Sequence, residues 1–254
     1  MEFIYNKDDN NIITLTMDMA NKSANLIDEY FFKSLLENVM KLEKESNLKG
    51  VILASSKKTF LAGADLDMLY NINEAKACYD MMESGKAVMR RFELLGKPIV
   101  AVMNGTALGG GMELALCCHY RIALDNSKSK FGFPEVNLGI MPGGGGVARL
   151  PRLIGLESSL PLLLEGRQLN ANQAAKKGLI DELAPNEAEM LSKAISWIDS
   201  NPNFEQPWDR KNFKFPGGNA HHPKNAQMIA MAPAVLRKKT RGNFPAPEAI
   251  LSAV

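Results

Sequence analysis

Asn104-Gly105-Thr106-Ala107-Leu108-Gly109-Gly110-Gly111-Met112-Glu113-Leu114-Ala115-Leu116 carries an apolar run, Pro98–Met103, through a triple-glycine turn into a helical pattern. A carboxylate, Glu113, stands in the first turn of that pattern. Glycine lets a backbone turn sharply and leaves its amides unobstructed. The first N–H groups of a helix have no internal acceptor and lie at the positive end of its dipole. Such a turn suits close packing of strand on helix, and it equally suits an oxygen that gains negative charge. Taken alone, the stretch leaves both readings open. It is not a phosphate loop, because no Lys-Ser/Thr follows the glycines, and Leu114 stands where a dinucleotide fingerprint wants its third glycine.

Outward from this turn, strands and helices alternate. Phe3–Asn6 and Ile12–Met17 read as a hairpin around an Asp/Asn turn. Asp28 is a helix N-cap for a segment from about Glu29 to Lys44, with Leu35, Leu36, Val39 and Met40 at helical spacing. Gly50–Ala54 is a buried strand, and Ser55–Asp65 a loop ending Leu61-Ala62-Gly63-Ala64-Asp65. Glu74–Leu95 reads as a long helix with Met81, Met82, Val88, Met89, Phe92 and Leu95 as its apolar points. After the glycine turn come short strands at Tyr120–Ala123 and Lys130–Phe133, a loop at Pro134–Pro142, and a helix opened by Gly143–Gly146. Further helices fit Glu157–Leu164, Asn172–Lys177, Glu187–Ser200 and Asn225–Lys238, with a Pro- and Gly-rich linker at Asn201–Pro223. This alternation argues an α/β fold with short crossovers. The expected division is a catalytic core over 1–190 and a helical and linker segment over 191–254.

Composition narrows the function. A chain of 254 residues buries a core large enough to need no staples. A net charge of +2 gives no reason to expect nucleic acid or a charged membrane surface as partner. Three cysteines, Cys78, Cys117 and Cys118, lack any zinc spacing and read as reduced thiols of a cytoplasmic protein. The apolar runs all stop short of a membrane span.

Two carboxylates stand in apolar surroundings, Glu113 within Leu108–Cys118 and Glu135 within Phe133–Val136. Burial raises a carboxyl pKa, as a general acid at neutral pH requires. Singly, each reads more simply as a solvated or ion-paired Glu. His119 reads as structural, His221 and His222 as linker residues, and no GxSxG elbow is present, so a Ser or Cys triad and a metal site find no support.

Together these segments resemble the enoyl-CoA hydratase/isomerase (crotonase) superfamily. Leu61–Asp65 is similar to the family's first oxyanion loop, Asn104–Leu116 to its signature, Phe131–Glu135 to its second catalytic segment, and Pro142–Gly155 to the stretch that follows. Val147 and Ala148 stand where many members carry Thr-Gln, and Met112 where many carry a smaller residue. The resemblance implies a crotonase-like spiral of repeated ββα units with a C-terminal helical segment. It implies catalytic Glu113 and Glu135, an oxyanion hole from Ala64 and Gly110, and substrate contacts at Ala24, Ala62, Gly63, Asp65, Leu66, Gly109, Pro134 and Gly143. The implied activity is hydration of trans-2-enoyl-CoA, with enoyl-CoA isomerisation open to the same glutamates. Hydrolysis or decarboxylation of another acyl-CoA, or a non-catalytic acyl-CoA-binding module, are the rival readings. Coenzyme A enters as the substrate's thioester, with no tightly bound cofactor and no metal. The stretch from Asn225 to Ile250 resembles the linker after the hydratase half of multifunctional fatty-acid oxidation proteins. That implies a chain that stops before a dehydrogenase half, to which NAD belongs, and admits a homo-oligomer and a thiolase partner for the longer protein.

Overall fold

Two runs of Val, Ile and Ala without charge, Gly50–Ser55 and Ile99–Met103, pair in parallel with Val51 opposite Ile99. The computed structural model describes all of residues 1–254. Strands β1 (Glu2–Lys7) and β2 (Ile12–Asp18) form the expected antiparallel hairpin, closed by Asp8, whose carboxylate accepts from the N–H groups of Asn10 and Ile12. Helix α1 (Phe31–Leu42) leads to β3 (Gly50–Ser55), and α2 (Leu66–Tyr70) and α3 (Ala75–Glu93) lead to β4 (Ile99–Met103). Then come β5 (Ala107–Leu108), α4 (Gly110–Cys117), β6 (Tyr120–Leu124), β7 (Phe131–Gly132) and a 3-10 helix at Pro134–Leu138. The chain continues through α5 (Gly146–Ile154), α6 (Leu156–Leu164), β8 (Gln168–Leu169), α7 (Ala171–Lys176) and β9 (Glu182–Ala184). Helices α8 (Glu187–Ser200), α9 (Pro223–Thr240) and α10 (Pro245–Ala253) end it.

Six strands form one sheet in the order β1-β2-β3-β4-β6-β9, parallel except for β1. The short strands β5, β7 and β8 form a second sheet, and Leu61 joins its edge through a bridge to Ala107. A long strand is thus followed by a short one in the second sheet and then by a helix. β4-β5-α4 is one such unit, and β3, Leu61 and α3 make another. Stacked side by side they give the expected spiral of ββα units.

The sheet is buried on both faces, which is why its strands read as continuous apolar runs. Ile13, Leu15, Val51, Leu53, Ile99 and Ala101 face α1, α3 and α4 in the main core. Ile12, Ile52, Val100, Val102 and Ile122 face the other way, onto Met190, Ala194 and Ile198 of α8. Those three residues recur every four positions and so line one helix face.

This packing corrects the expected division of the chain. A boundary at residue 190 falls inside α8, the helix that covers the second face of the sheet. The supposed linker is tied down as well: the buried amide of Gln206 donates to the carbonyls of Leu116, Cys117 and Cys118, which α4 cannot satisfy at its own C-terminus. Ala246 and Ile250 of α10 enter the main core. Two local expectations also shift. Helix α1 starts at Phe31 and not at Glu29, because Ile27 is held in an extended bridge to Ala64 and the Asp28 carboxylate takes the N–H of Tyr30 and the N-terminal amine. The loop at Pro134–Pro142 opens as a 3-10 helix, with Pro134 at a first-turn position that needs no N–H donor.

Ile198 fills the space above Gly50, where a methyl group would lie 2.6 Å from its Cγ2. Ile198→Ala should cost about 2–5 kcal/mol of stability, seen as a lower urea midpoint. An unchanged midpoint would show that α8 is not a core element.

Candidate active site

The three glycines of the turn answer to three different neighbours. A methyl group on Gly111 would lie 2.1 Å from the carbonyl oxygen of Leu61, one on Gly110 2.6 Å from Cδ1 of Ile27, and one on Gly109 3.0 Å from Oε1 of Glu135. Gly109 also has a φ of 54°, a left-handed conformation that favours glycine. Its N–H donates to Gly132, which fastens the turn to the second sheet. The packing reading is therefore correct for Gly111. Gly110, first residue of α4, keeps an N–H with no carbonyl one turn back to receive it.

Ala64 offers a second free amide for a different reason. In its parallel bridge with Ile27, the N–H of Ile27 donates to Gly63 and the N–H of Asp65 donates to Ile27, at 2.8 and 2.9 Å. A parallel ladder engages the flanking residues and turns the polar groups of the bridged residue to the other side. Ala64 and Gly110 both line a cavity of about 750 Å³.

Glu113 and Glu135 line the same cavity and are 3% and 8% exposed. Glu113 lies three residues after Gly110 and so on the same side of α4. Its Oε1 accepts from the N–H of Gly146 at 2.7 Å, and the amides of Gly144 and Gly145 also face it. The second glycine run exists for this contact. Methyl groups on Gly144 and Gly146 would lie 2.8 and 3.0 Å from the Glu113 carboxylate. Burial raises the pKa of Glu113, while the amides of Gly146 and Gly144, the Arg149 cation and the amide of Gly145 pull it back. Glu135 has far less help. Its Oε2 is buried with no hydrogen-bond partner, and burial together with the charge of Glu113 pushes its pKa up to about 8. Two neighbouring carboxyls that resist joint ionisation titrate as a pair, and burial holds both above the ordinary carboxylate range.

Of the other expected contacts, Ala62, Gly63, Asp65, Leu66, Gly109, Pro134 and Gly143 line this cavity. Ala24 does not. Asn25 beside it turns its side chain inward, accepting from Met19 N–H and donating to the Met17 carbonyl, so the wall is formed by Leu26 and Ile27 further on. The apolar lining of the cavity includes Phe32, Met81, Met82, Met89, Leu138 and Met141, none of which was among the named contacts. Its signal lay in the methionines of α3, whose helical spacing also describes ordinary core packing. His119 is structural as expected: one ring nitrogen accepts from Ile99 N–H, the other donates to the Glu93 carbonyl, and burial lowers its pKa. No three His, Cys, Asp or Glu side chains converge to hold a metal ion. No helix is long and apolar enough to cross a membrane.

Two free amides and two buried carboxyls thus stand at the wall of one largely apolar cavity. The chain belongs to the enoyl-CoA hydratase/isomerase family, whose sequence profile matches residues 7–203. Among similar proteins are the fatty acid oxidation complex subunits alpha of Shewanella loihica, 39% identical over 99% of this chain, and of Aliivibrio fischeri, 36% identical over 99%. The chain spans about a third of the length of these curated relatives, 36% of each. The fold is shared with the crystal structure of enoyl-CoA hydratase from Bacillus anthracis, at a TM-score of 0.72 and 30% identity over 79% of this chain and 76% of that one. The enoyl-CoA hydratase of Thermoplasma volcanium is similar over 100% of this chain and 89% of its own, at a TM-score of 0.71 and 26% identity.

Gly111 makes a stability prediction independent of chemistry. Gly111→Ala drives a methyl group into the Leu61 carbonyl, a backbone group that cannot rotate aside, and should cost at least about 1–3 kcal/mol. A melting temperature equal to that of the parent chain would contradict the close approach.

Proposed function

We propose that this chain adds water to trans-2-enoyl-CoA thioesters, giving 3-hydroxyacyl-CoA, and that Glu113, Glu135, Ala64 and Gly110 carry the reaction. The observation behind this reading is the unequal carboxyl pair, one member held by amides and the other without a partner, beside two unused N–H groups. The thioester carbonyl accepts from the N–H groups of Ala64 and Gly110, with the acyl chain lying toward Met81, Met82 and Met141. Ionised Glu113 takes a proton from water as the water oxygen bonds to C3. The C2–C3 π electrons move toward the thioester, and the resulting enolate oxygen is held by the two amides, each contributing about 3 kcal/mol. Protonated Glu135 then delivers its proton to C2. Return of the proton from Glu113 to Glu135 restores the pair, and the net change is one water added.

The paired carboxyls favour hydration over isomerisation, since moving a double bond needs only one base. Isomerisation of a 3-enoyl-CoA to the 2-enoyl-CoA would run on the same residues, with a proton leaving C2 and one arriving at C4. The relatives are named as subunits of a fatty acid oxidation complex, and we assign this chain the hydration step of such a process. Three free thiols, Cys78, Cys117 and Cys118, support a cytoplasmic setting.

Glu113→Gln and Glu135→Gln should each lower kcat by about 10²–10⁴-fold, followed as slower loss of the conjugated thioester absorbance, while binding of the acyl-CoA persists. Undiminished turnover in either variant removes the assignment. The working state has Glu113 ionised and Glu135 protonated, so kcat/KM should rise with an acid limb as Glu113 ionises and fall as pH rises through about 8. Removing the Glu113 charge lowers the Glu135 pKa, so the residual activity of Glu113→Gln should lose its alkaline limb at a lower pH than the parent. A limb in the same place would rule out electrostatic coupling of the pair.

A further inference from the structure

Behind the Gly144–Gly146 turn, on the side away from the cavity, lies an ion network that the proposed chemistry leaves unused. Glu93 is the last residue of α3, and its side chain has no exposure to solvent. A carboxylate there faces the negative end of its own helix dipole, so it must be neutralised from elsewhere. Arg149 of α5 does this in a two-pronged grip, Nε to Oε1 at 3.0 Å and Nη2 to Oε2 at 2.8 Å. Arg90 adds a bond to Oε2 at 2.7 Å and reaches on to Asp209. Arg149 has one donor arm left, and Nη1 gives it to the carbonyl of Gly144 at 3.2 Å. The turn lies flat on the guanidinium: a methyl group on Gly145 would be 2.3 Å from Nη1. The opposite side of that turn presents the amides that hold Glu113.

Resting on the hydratase reading, we propose that Arg149, gripped by Glu93, is a positioning residue that presses the Gly144–Gly146 amides onto Glu113 and sets the positive charge behind the carboxyl pair. Arg149 touches no substrate. It acts on geometry through the Gly144 carbonyl and on charge through its cation, which favours the ionised form of Glu113. The charged and titratable groups around this cluster are Glu93 and Arg90 on α3, Glu113 and Cys117 on α4, Cys118 and His119 after it, Arg121 on β6, Asp209 from the C-terminal part, and Glu135 across the cavity. Cys117 is neutral, its thiol pushed up to about 12 by burial, and His119 is neutral through both its hydrogen bonds. Arg149 is therefore the cation nearest to Glu113 that a single substitution removes.

Steady-state hydration of a trans-2-enoyl-CoA across pH tests this. Arg149→Met should lower kcat by about 10- to 100-fold, the scale of a misplaced reactive group, with KM little changed. Its acid limb should move to higher pH, because Glu113 loses the charge that keeps it ionised. Arg149→Lys keeps a cation but not the fork, so the acid limb should return toward the parent position while kcat stays low. Arg152→Met, a cation lost from the outer face of the same helix, should leave both kcat and the profile unchanged. Should Arg149→Met fail to fold, Arg149→Lys decides alone, by low kcat at unchanged KM. Parental kcat and pH profile in the Arg149 variants, or a loss confined to KM, overturns the inference while hydration by the parent chain stands. A parent chain that hydrates no enoyl-CoA overturns the hydratase reading itself.

Discussion

The fold depends on one backbone contact, the approach of α4 to the carbonyl of Leu61. A helix starting directly from a β-turn normally keeps its first residues clear of a neighbouring strand, because their Cβ atoms would collide with it. Gly111 has no Cβ, so the first turn of α4 sits against the Leu61 bridge, at a point where a methyl group would come within 2.1 Å of an oxygen. Leu61 pairs with Ala107, Ala107 with Phe131, and the second sheet is built across that line. Were α4 to stand off further, Gly110 would leave the neighbourhood of Ala64 and the cavity would open between them. Packing and chemistry therefore use adjacent residues of one turn, not the same residue.

The second constraint is electrostatic. Placing two carboxyls together in an apolar wall is unfavourable if both ionise, and the protein resolves this by treating them differently. Glu113 receives backbone amides from the start of α5 and a cation behind them. Glu135 receives an apolar surrounding and a buried oxygen with no partner. An unsatisfied buried polar atom costs about 1–3 kcal/mol, so its presence asks for a reason, and the proposed delivery of its proton to carbon supplies one.

What could be read from the chain alone follows the range of the interactions. The hairpin, the strands at Gly50 and Ile99 and the helix Glu187–Ser200 were legible because turn residues and apolar patterning act within a few positions. The pair Glu113 and Glu135 was legible only through motif resemblance, since each alone reads as an ordinary surface Glu. What failed was long-range. Asn201–Pro223 has linker composition, yet Gln206 and Asp209 reach α4 and α3, and no local signal announces either contact. Asp28 was read as a cap because Asp caps helices, whereas a bridge between Ile27 and Ala64 holds the backbone extended there. Ala24 missed the cavity because it lies in a bend before the Ile27 bridge, a local geometry that its residue type does not announce.

The polar wall of the cavity has a common origin in the beginnings of helices. Gly110 opens α4, Gly146 opens α5, Glu135 stands in the first turn of a 3-10 helix, and Asp65 caps α2. The start of α5 turns its amides onto the Glu113 carboxylate, and the start of α4 leaves the Gly110 N–H unpaired, so these two helix beginnings set a local positive field in an otherwise apolar wall. Such a field favours whichever oxygen carries negative charge. In the proposed reaction that oxygen is first one of Glu113, held by the amides of α5, and then also the thioester oxygen, which the amides of Gly110 and Ala64 would take. On that reading the amides for the base and those for the substrate come from different elements, so stabilising one anion does not compete with stabilising the other. A spiral of short ββα units suits this, because it brings a new helix beginning to the same side of the sheet with every turn.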